Sequence, residues 1–163
     1  MQLSTKLNYI KEGFTPDQIS EIDEGMEAGI DVSVYARKDF FAMQMRQIRK
    51  GLTDHLPMAE YAKPEYDWFQ LEEIREGLSS FIDVKKYDSP EIPYDKMRQI
   101  RLGLEKGIDL TEYLPLNAGI INQIRQALLP ELISEVMLRM VTTRNSLMKS
   151  VLRWKKDWIF ISM

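Results

Sequence analysis

Apolar residues return along the chain at intervals of 26 residues, and this repeat dominates its hydrophobic and polar pattern. Across four units three residue types recur without a gap: Ile22, Ile48, Ile74 and Ile100; Gly25, Gly51, Gly77 and Gly103; and Tyr35, Tyr61, Tyr87 and Tyr113. Other columns keep the apolar character alone, as at Ile19, Met45, Leu71 and Met97. The spacing predicts four copies of one structural unit.

Each unit is predicted to form a long helix, a turn and a second helix of one to two turns. In the third unit, three apolar residues are spaced so that they share one face of an α-helix: Leu71, Ile74 and Leu78. The first long helix begins with a capping residue, a first-turn proline and a capping-box partner: Thr15, Pro16 and Gln18.

The turn between the two helices also has a signature. Gly29 and Gly107 follow the long helix, where glycine adopts the left-handed conformation without a Cβ clash. Asp31 and Asp109 come next and are suited to cap the short helix. In the second unit His55 replaces the glycine, so we predict that His55 is a loop residue at a helix end.

Two recurring columns predict close packing. A glycine inside a long helix costs about 1 kcal/mol relative to alanine, so four repetitions indicate that a neighbouring helix crosses closely. The tyrosines after the short helices are predicted to pack in the core with their hydroxyl groups at its rim.

The predicted fold is all-α: a single domain over residues 1–163, built from short two-helix repeats stacked as a small solenoid. Residues 1–14 are expected to form an N-terminal cap, 15–117 the four repeats, and 118–163 a divergent fifth unit with a basic amphipathic C-terminal helix. The alternative is a compact orthogonal helical bundle of the same units. The pattern does not determine the handedness of the stack.

The repeated motif resembles that of one group of proteins. It is carried by Gln44, Met45, Ile48, Arg49, Gly51 and Leu52, by Gly29, Ile30, Asp31 and Val32, and by Tyr61, Ala62 and Pro64. It resembles a helical repeat of uncharacterised proteins from gut-associated Gram-positive bacteria, often encoded on mobile or conjugative elements. The resemblance covers residues 15–117 and implies no activity, since that group has no assigned function.

Composition narrows the chemistry. The chain has no cysteine and one histidine, which excludes a disulfide framework, thiol catalysis and histidine-based metal clusters. The sequence contains neither a Walker-type phosphate loop nor a Gly-x-Gly-x-x-Gly motif. We therefore predict a protein that is not an enzyme and has no cofactor or metal.

Charge is unevenly distributed. Residues 1–138 carry 16 Lys+Arg and 24 Asp+Glu, a net charge of −8, whereas residues 139–163 carry +5. The acidic part repels phosphates and is a poor platform for nucleic acid. No apolar run is long enough to span a membrane or to serve as a signal peptide, so we expect a cytoplasmic protein.

An arginine column follows the core isoleucines and is the first candidate binding site: Arg49, Arg75 and Arg101, with Arg125 as its shifted successor. One interpretation is a ladder of ion pairs between repeats, with carboxylates such as Asp83 and Asp109. The other is a row of donors that binds an acidic partner.

The C-terminal segment is the second candidate site. Its basic and aromatic residues suit a membrane surface or the groove of a partner: Lys149, Arg153, Trp154, Lys156 and Trp158. Alternatively, the segment caps the last repeat. The apolar end is also expected to mediate self-association if it is not covered.

These observations favour a non-catalytic protein-interaction module or scaffold, because solenoids offer extended binding surfaces. They do not identify the protein partner. The alternative is a nucleic-acid- or membrane-associated accessory protein that acts through residues 139–163.

Overall fold

The long helices begin 26 residues apart in the computed structural model, which describes residues 3–129 and 131–144. They are α2 (Pro16–Glu27), α3 (Ala42–Thr53), α4 (Trp68–Ser79) and α5 (Tyr94–Leu104). Helix α1 (Leu3–Lys11) precedes them, and helix α6 (Ala118–Ala127) and the helical residues 131–144 follow. The described residues contain no β-strand. The predicted all-α class is confirmed.

The second helix of each unit is at the lower limit of the predicted one to two turns. It is a single turn of 3-10 helix, found at Val32–Val34, Met58–Glu60, Val84–Lys86 and Thr111–Tyr113. Asp31 caps the first of these turns by accepting a hydrogen bond from the Ser33 amide at 3.0 Å. Its carboxyl pKa is lowered by the side-chain and backbone hydrogen bonds of Ser33. In the first three units the tyrosine that follows the turn packs inward.

The helix ends follow the predicted chemistry. Thr15 and Gln18 form a reciprocal capping box at the start of α2. Gly29 and Gly107 have φ angles of 70° and 74°, in the left-handed region. His55 takes the same conformation in the second unit and is exposed, as predicted for a loop residue at a helix end.

The recurring columns form the core. The isoleucine column is fully buried, as are three of the four tyrosines: Tyr35, Tyr61 and Tyr87. The glycine column leaves room for the short helix of the same unit rather than for another long helix. A Cβ added at Gly77 would lie 1.9 Å from the Tyr87 hydroxyl oxygen, and one at Gly51 would lie 2.2 Å from Cγ of Met58.

The tyrosine hydroxyls of the first and third units lie inside the core, not at its rim as predicted. Tyr35 donates to the Glu21 carbonyl oxygen at 3.0 Å, and Tyr87 donates to that of Glu73 at 3.2 Å. Each hydroxyl therefore ties the short helix to the long helix before it.

A glutamine at the third position of each of three long helices links one unit to the next. Its amide nitrogen donates to a backbone carbonyl 22 residues further on, from Gln18 to Phe40, from Gln44 to Tyr66 and from Gln70 to Ile92. In the fourth unit Lys96 replaces it and donates to the Leu114 carbonyl at 2.8 Å. These bonds fix the loop that leads into the next long helix.

The chain divides into two compact units, Met1–Ile121 and Asn122–Met163. In the first, α2 packs on α3, α3 on α4 and α4 on α5. In the second, the helical residues 131–144 are all exposed. Among the described residues, no helix is long and apolar enough to span a membrane.

Candidate functional site

The arginine column lies at the junctions between long helices. At the α2–α3 junction the carboxylate of Glu21, which is almost fully buried, accepts from Nε of Arg46 at 2.7 Å and from Nε of Arg49 at 2.9 Å. At the α4–α5 junction Glu73 accepts from Nε of Arg98 at 2.7 Å and from Nε of Arg101 at 2.8 Å. Each buried charge is thus compensated by two guanidinium groups from the next helix.

Arg101 is the most deeply held member of the column. Its side chain is 9% exposed and contacts three carboxylates, those of Glu73, Glu76 and Glu105, at 2.6 to 2.8 Å. Burial on its own lowers the pKa of Arg101, but the hydrogen bonds and charges of these carboxylates outweigh it and raise the pKa overall. Little of this guanidinium remains for a partner.

The α3–α4 junction is different. There Nε of Arg75 donates to the side-chain oxygen of Gln47 at 3.0 Å, and the nearest carboxylate oxygen, on Glu76, is 3.7 Å from its terminal nitrogen. Arg75 lines a small polar pocket of about 180 Å³ with Arg49, Lys50, Thr53 and Asp54. Of Arg49, Arg75 and Arg101, Arg75 therefore has the most guanidinium N–H groups left to donate to a partner.

The carboxylate partners differ from those expected. Asp83 caps a 3-10 turn through the Lys85 amide, and Asp109 binds Lys86 and Thr111. Both lie next to the short helices, away from the long-helix junctions that hold the arginines. In the compact unit Asn122–Met163, the Arg125 guanidinium donates to the side-chain oxygen of Asn122 at 2.9 Å.

The two junctions that hold a buried glutamate lie 52 residues apart, and the junction between them holds Gln47 instead. The signal for this is in the sequence: Met-Arg-Gln-Ile-Arg-x-Gly-Leu occurs at 45–52 and again at 97–104, and glutamate occupies both 21 and 73. At a spacing of 26 residues, Glu21 and Glu73 share a column with Gln47. The column is therefore not uniformly acidic, and the sequence pattern does not identify the two glutamates as partners of the arginines.

A second surface lies at the amino-terminal ends of α3, α4 and α5. We call it the aromatic edge, and it consists of Phe41, Trp68, Phe69 and Tyr94. The Phe69 ring stacks on Trp68 and on Tyr94, with ring centroids 3.5 and 4.5 Å apart. Phe41 is 78% exposed. The sequence pattern did not single out these residues, because they stand in three different columns of the repeat.

A groove of about 380 Å³ runs between the starts of α3 and α4 on this edge. Its lining includes Phe41, Pro64, Tyr66 and Trp68. Gln44 holds the groove in shape, because its amide nitrogen donates to the carbonyl oxygens of both Pro64 and Tyr66. The Tyr66 hydroxyl donates in turn to the Asp88 carbonyl of the next loop.

The loops around the groove are acidic. Residues 60–67 and 88–95 together carry six Asp+Glu and one lysine. The pKa of Tyr66 is raised, first by burial and then by the charge of Asp88, with Tyr61 and Glu65 adding to it. The apolar groove is thus set in a negative surface.

The other predicted site residues lie outside the described residues: Lys149, Arg153, Trp154, Lys156 and Trp158. Within the same compact unit, residues 131–144 expose apolar side chains along their length, among them Ile133, Val136, Met137 and Met140 at 45 to 64% exposure. A shallow pocket there is lined by Val136, Met140 and Arg139 among others. Within the described residues no cluster of His, Asp or Glu is arranged to hold a metal ion.

Comparisons with known proteins found no matching family model, no matching curated protein and no matching solved structure.

Proposed function

We propose that this chain is a non-catalytic protein-interaction module that binds a partner through its aromatic edge. Exposed aromatic and apolar groups clustered in one patch are typical of protein-binding surfaces, where aromatic side chains provide much of the binding free energy. The observation that carries the proposal is a groove lined by the exposed Phe41 and the half-buried Trp68.

The repeat architecture supports this function. We propose that the four repeats of residues 15–117 form a small solenoid, because each long helix packs on the next and a glutamine links each loop to the preceding repeat. Such an arrangement presents the starts of α3, α4 and α5 in a row. It holds the binding side chains on rigid helices, which reduces the conformational entropy lost on binding.

The test is a comparative capture from a lysate of the organism that encodes the chain. Wild type, a Phe41→Ser/Trp68→Ala variant and a Phe81→Ser control are immobilised at equal density. Phe81 is 97% exposed and lies at the opposite end of α4, so the control removes a similar apolar side chain from another surface. We expect the captured protein to be lost with the first variant only. Equal capture by all three proteins would rule out the aromatic edge.

The second candidate is the nucleic-acid- or membrane-associated protein predicted from residues 139–163, whose net charge is +5. A full-length chain with Lys149, Arg153, Lys155 and Lys156 changed to glutamine tests it. Loss of binding to DNA or to anionic vesicles, with capture of the protein partner unchanged, would assign that activity to the C-terminal segment. Either function is compatible with the cytoplasmic location that we propose.

A further inference from the structure

We propose that the groove of the aromatic edge binds an extended, arginine-containing basic segment of a partner protein. This inference rests on the proposed function and specifies the chemistry of the partner. Two features carry it: the aromatic residues that line the groove and the charge of its surroundings.

The walls suit a side chain that is apolar along its stem and cationic at its tip. Phe41 and Trp68 both line the groove. Arginine packs its methylene groups on apolar surface while its planar guanidinium stacks on an aromatic face. The groove volume of about 380 Å³ accommodates a few side chains of an extended segment, not the face of a folded domain.

The charge around the groove selects a cation over a neutral apolar group. Glu65 and Asp67 line it directly, and both are exposed. Asp67 is already engaged, because its side chain caps α4 by accepting from the Gln70 amide at 2.8 Å. Within the described residues Glu65 makes no ion pair, so its carboxylate is available to an incoming guanidinium.

The preceding loop shows that this chemistry packs well in the fold. The Arg37 guanidinium lies 5.1 Å from the centroid of the Phe40 ring and forms an ion pair with Asp39. Twenty-six residues later the equivalent positions hold Lys63, Glu65 and Tyr66, and the Tyr66 ring is buried. A partner's arginine would therefore meet the exposed Phe41 ring and the Glu65 carboxylate instead.

The experiment measures fluorescence anisotropy with two labelled peptides at physiological salt. One is Gly-Arg-Pro-Arg-Pro-Arg-Gly, in which proline favours an extended chain, and the other has glutamine in place of each arginine. We expect the arginine peptide to bind wild type about tenfold more tightly than the glutamine peptide. The Phe41→Ser/Trp68→Ala variant should lose about tenfold in affinity for it, while Phe81→Ser binds as wild type.

A matched pair of charge variants separates local recognition from general attraction to an acidic protein. Glu65→Gln removes one carboxylate that lines the groove, and Glu27→Gln removes one exposed carboxylate elsewhere. We expect a severalfold loss of affinity for the first variant and no change for the second. Equal losses would overturn the proposal, since binding would then follow net charge alone.

Other outcomes also decide the matter. Equal affinity for the two peptides would overturn the assignment of a cationic partner. If Phe41→Ser/Trp68→Ala nevertheless lost the protein captured from the lysate, the proposed function would stand, but without a cationic partner. A full-length chain with Lys149, Arg153, Lys155 and Lys156 changed to glutamine is the last arm. A tenfold gain in affinity there would show that the chain's own basic segment occupies the groove, and would overturn the proposal of a separate partner.

Discussion

The side chains of Arg101 and Glu73 meet at 2.8 Å across the α4–α5 junction, and both are almost completely removed from solvent. Fifty-two residues earlier in the chain, Arg49 and Glu21 form the same contact between α2 and α3. Removing two such charges from water is costly, and the pair stabilises the fold only when each charge is fully compensated. The buried glutamates are therefore expected to be sensitive positions.

Replacing Glu73 with glutamine should destabilise the protein by about 2 kcal/mol or more, because Arg98 and Arg101 would each lose a charged partner in the core. Glu76 provides the control. It also contacts Arg101, but its side chain is 39% exposed, so Glu76→Gln should cost less than about 1 kcal/mol after screening by solvent. Urea unfolding of the full chain measures both. Equal losses of stability would show that burial of the carboxylate is unimportant.

The α3–α4 junction allows the alternation to be tested by conversion. Gln47 stands where the other junctions have glutamate, and Glu72 stands where they have Arg46 or Arg98. Gln47→Glu alone should be destabilising, because the new carboxylate would face Glu72. Combined with Glu72→Arg it recreates the arrangement of its neighbours, and we expect a favourable coupling of about 1–3 kcal/mol. A double-mutant cycle by urea unfolding measures this coupling, and strictly additive effects would contradict the structural equivalence of the junctions.

Gly77 should tolerate no side chain. A Cβ there would lie 1.9 Å from the Tyr87 hydroxyl and 2.8 Å from Cγ1 of Val84, so Gly77→Ala is expected to cost about 2 kcal/mol or more. Adding Tyr87→Phe removes the closest atom and should recover part of that loss in thermal unfolding. Gly29→Ala is the comparison: its Cβ would meet nothing within 4 Å, and its φ of 70° alone should cost about 1 kcal/mol. If Tyr87→Phe recovers nothing, the steric explanation is wrong.

The sequence predicts the helices well because their signals are local. Apolar spacing, caps and turn glycines each act within a few residues, so the 26-residue columns give the starts of α2 to α5 and their buried faces. The length of the short helices lies within the predicted range, but the sequence does not specify their 3-10 geometry, since a turn of 3-10 helix and a short α-helix share the same caps.

The candidate sites depend on contacts between units, and these are harder to derive. The column of Arg49, Arg75 and Arg101 was recognised, but nothing local shows that its partners are Glu21 and Glu73 on the preceding helix. The aromatic edge was missed for a related reason. Phe41, Trp68 and Phe69 occupy different repeat positions, and only the packing of successive helices brings them to one surface.

Alkaline pH should weaken the fold through its buried tyrosines. Burial raises the pKa of Tyr35 and Tyr87 above the ordinary value of 10.0, although the nearby Arg49 and Arg101 oppose this shift. The native state therefore keeps both protons at a pH where the unfolded chain releases them. Their contribution to stability is complete below pH 10 and is lost as the pH rises above it.

We expect the free energy of unfolding to fall by about 1.4 kcal/mol per pH unit for each of these tyrosines above that point. In Tyr35→Phe/Tyr87→Phe this part of the decline should disappear. The variant should also be less stable at neutral pH, by about 1 kcal/mol for each lost hydrogen bond to Glu21 and Glu73. Urea unfolding at several pH values between 8 and about 11.5 measures both effects. Parallel curves for the two proteins would show that the two hydroxyls do not titrate differently on unfolding.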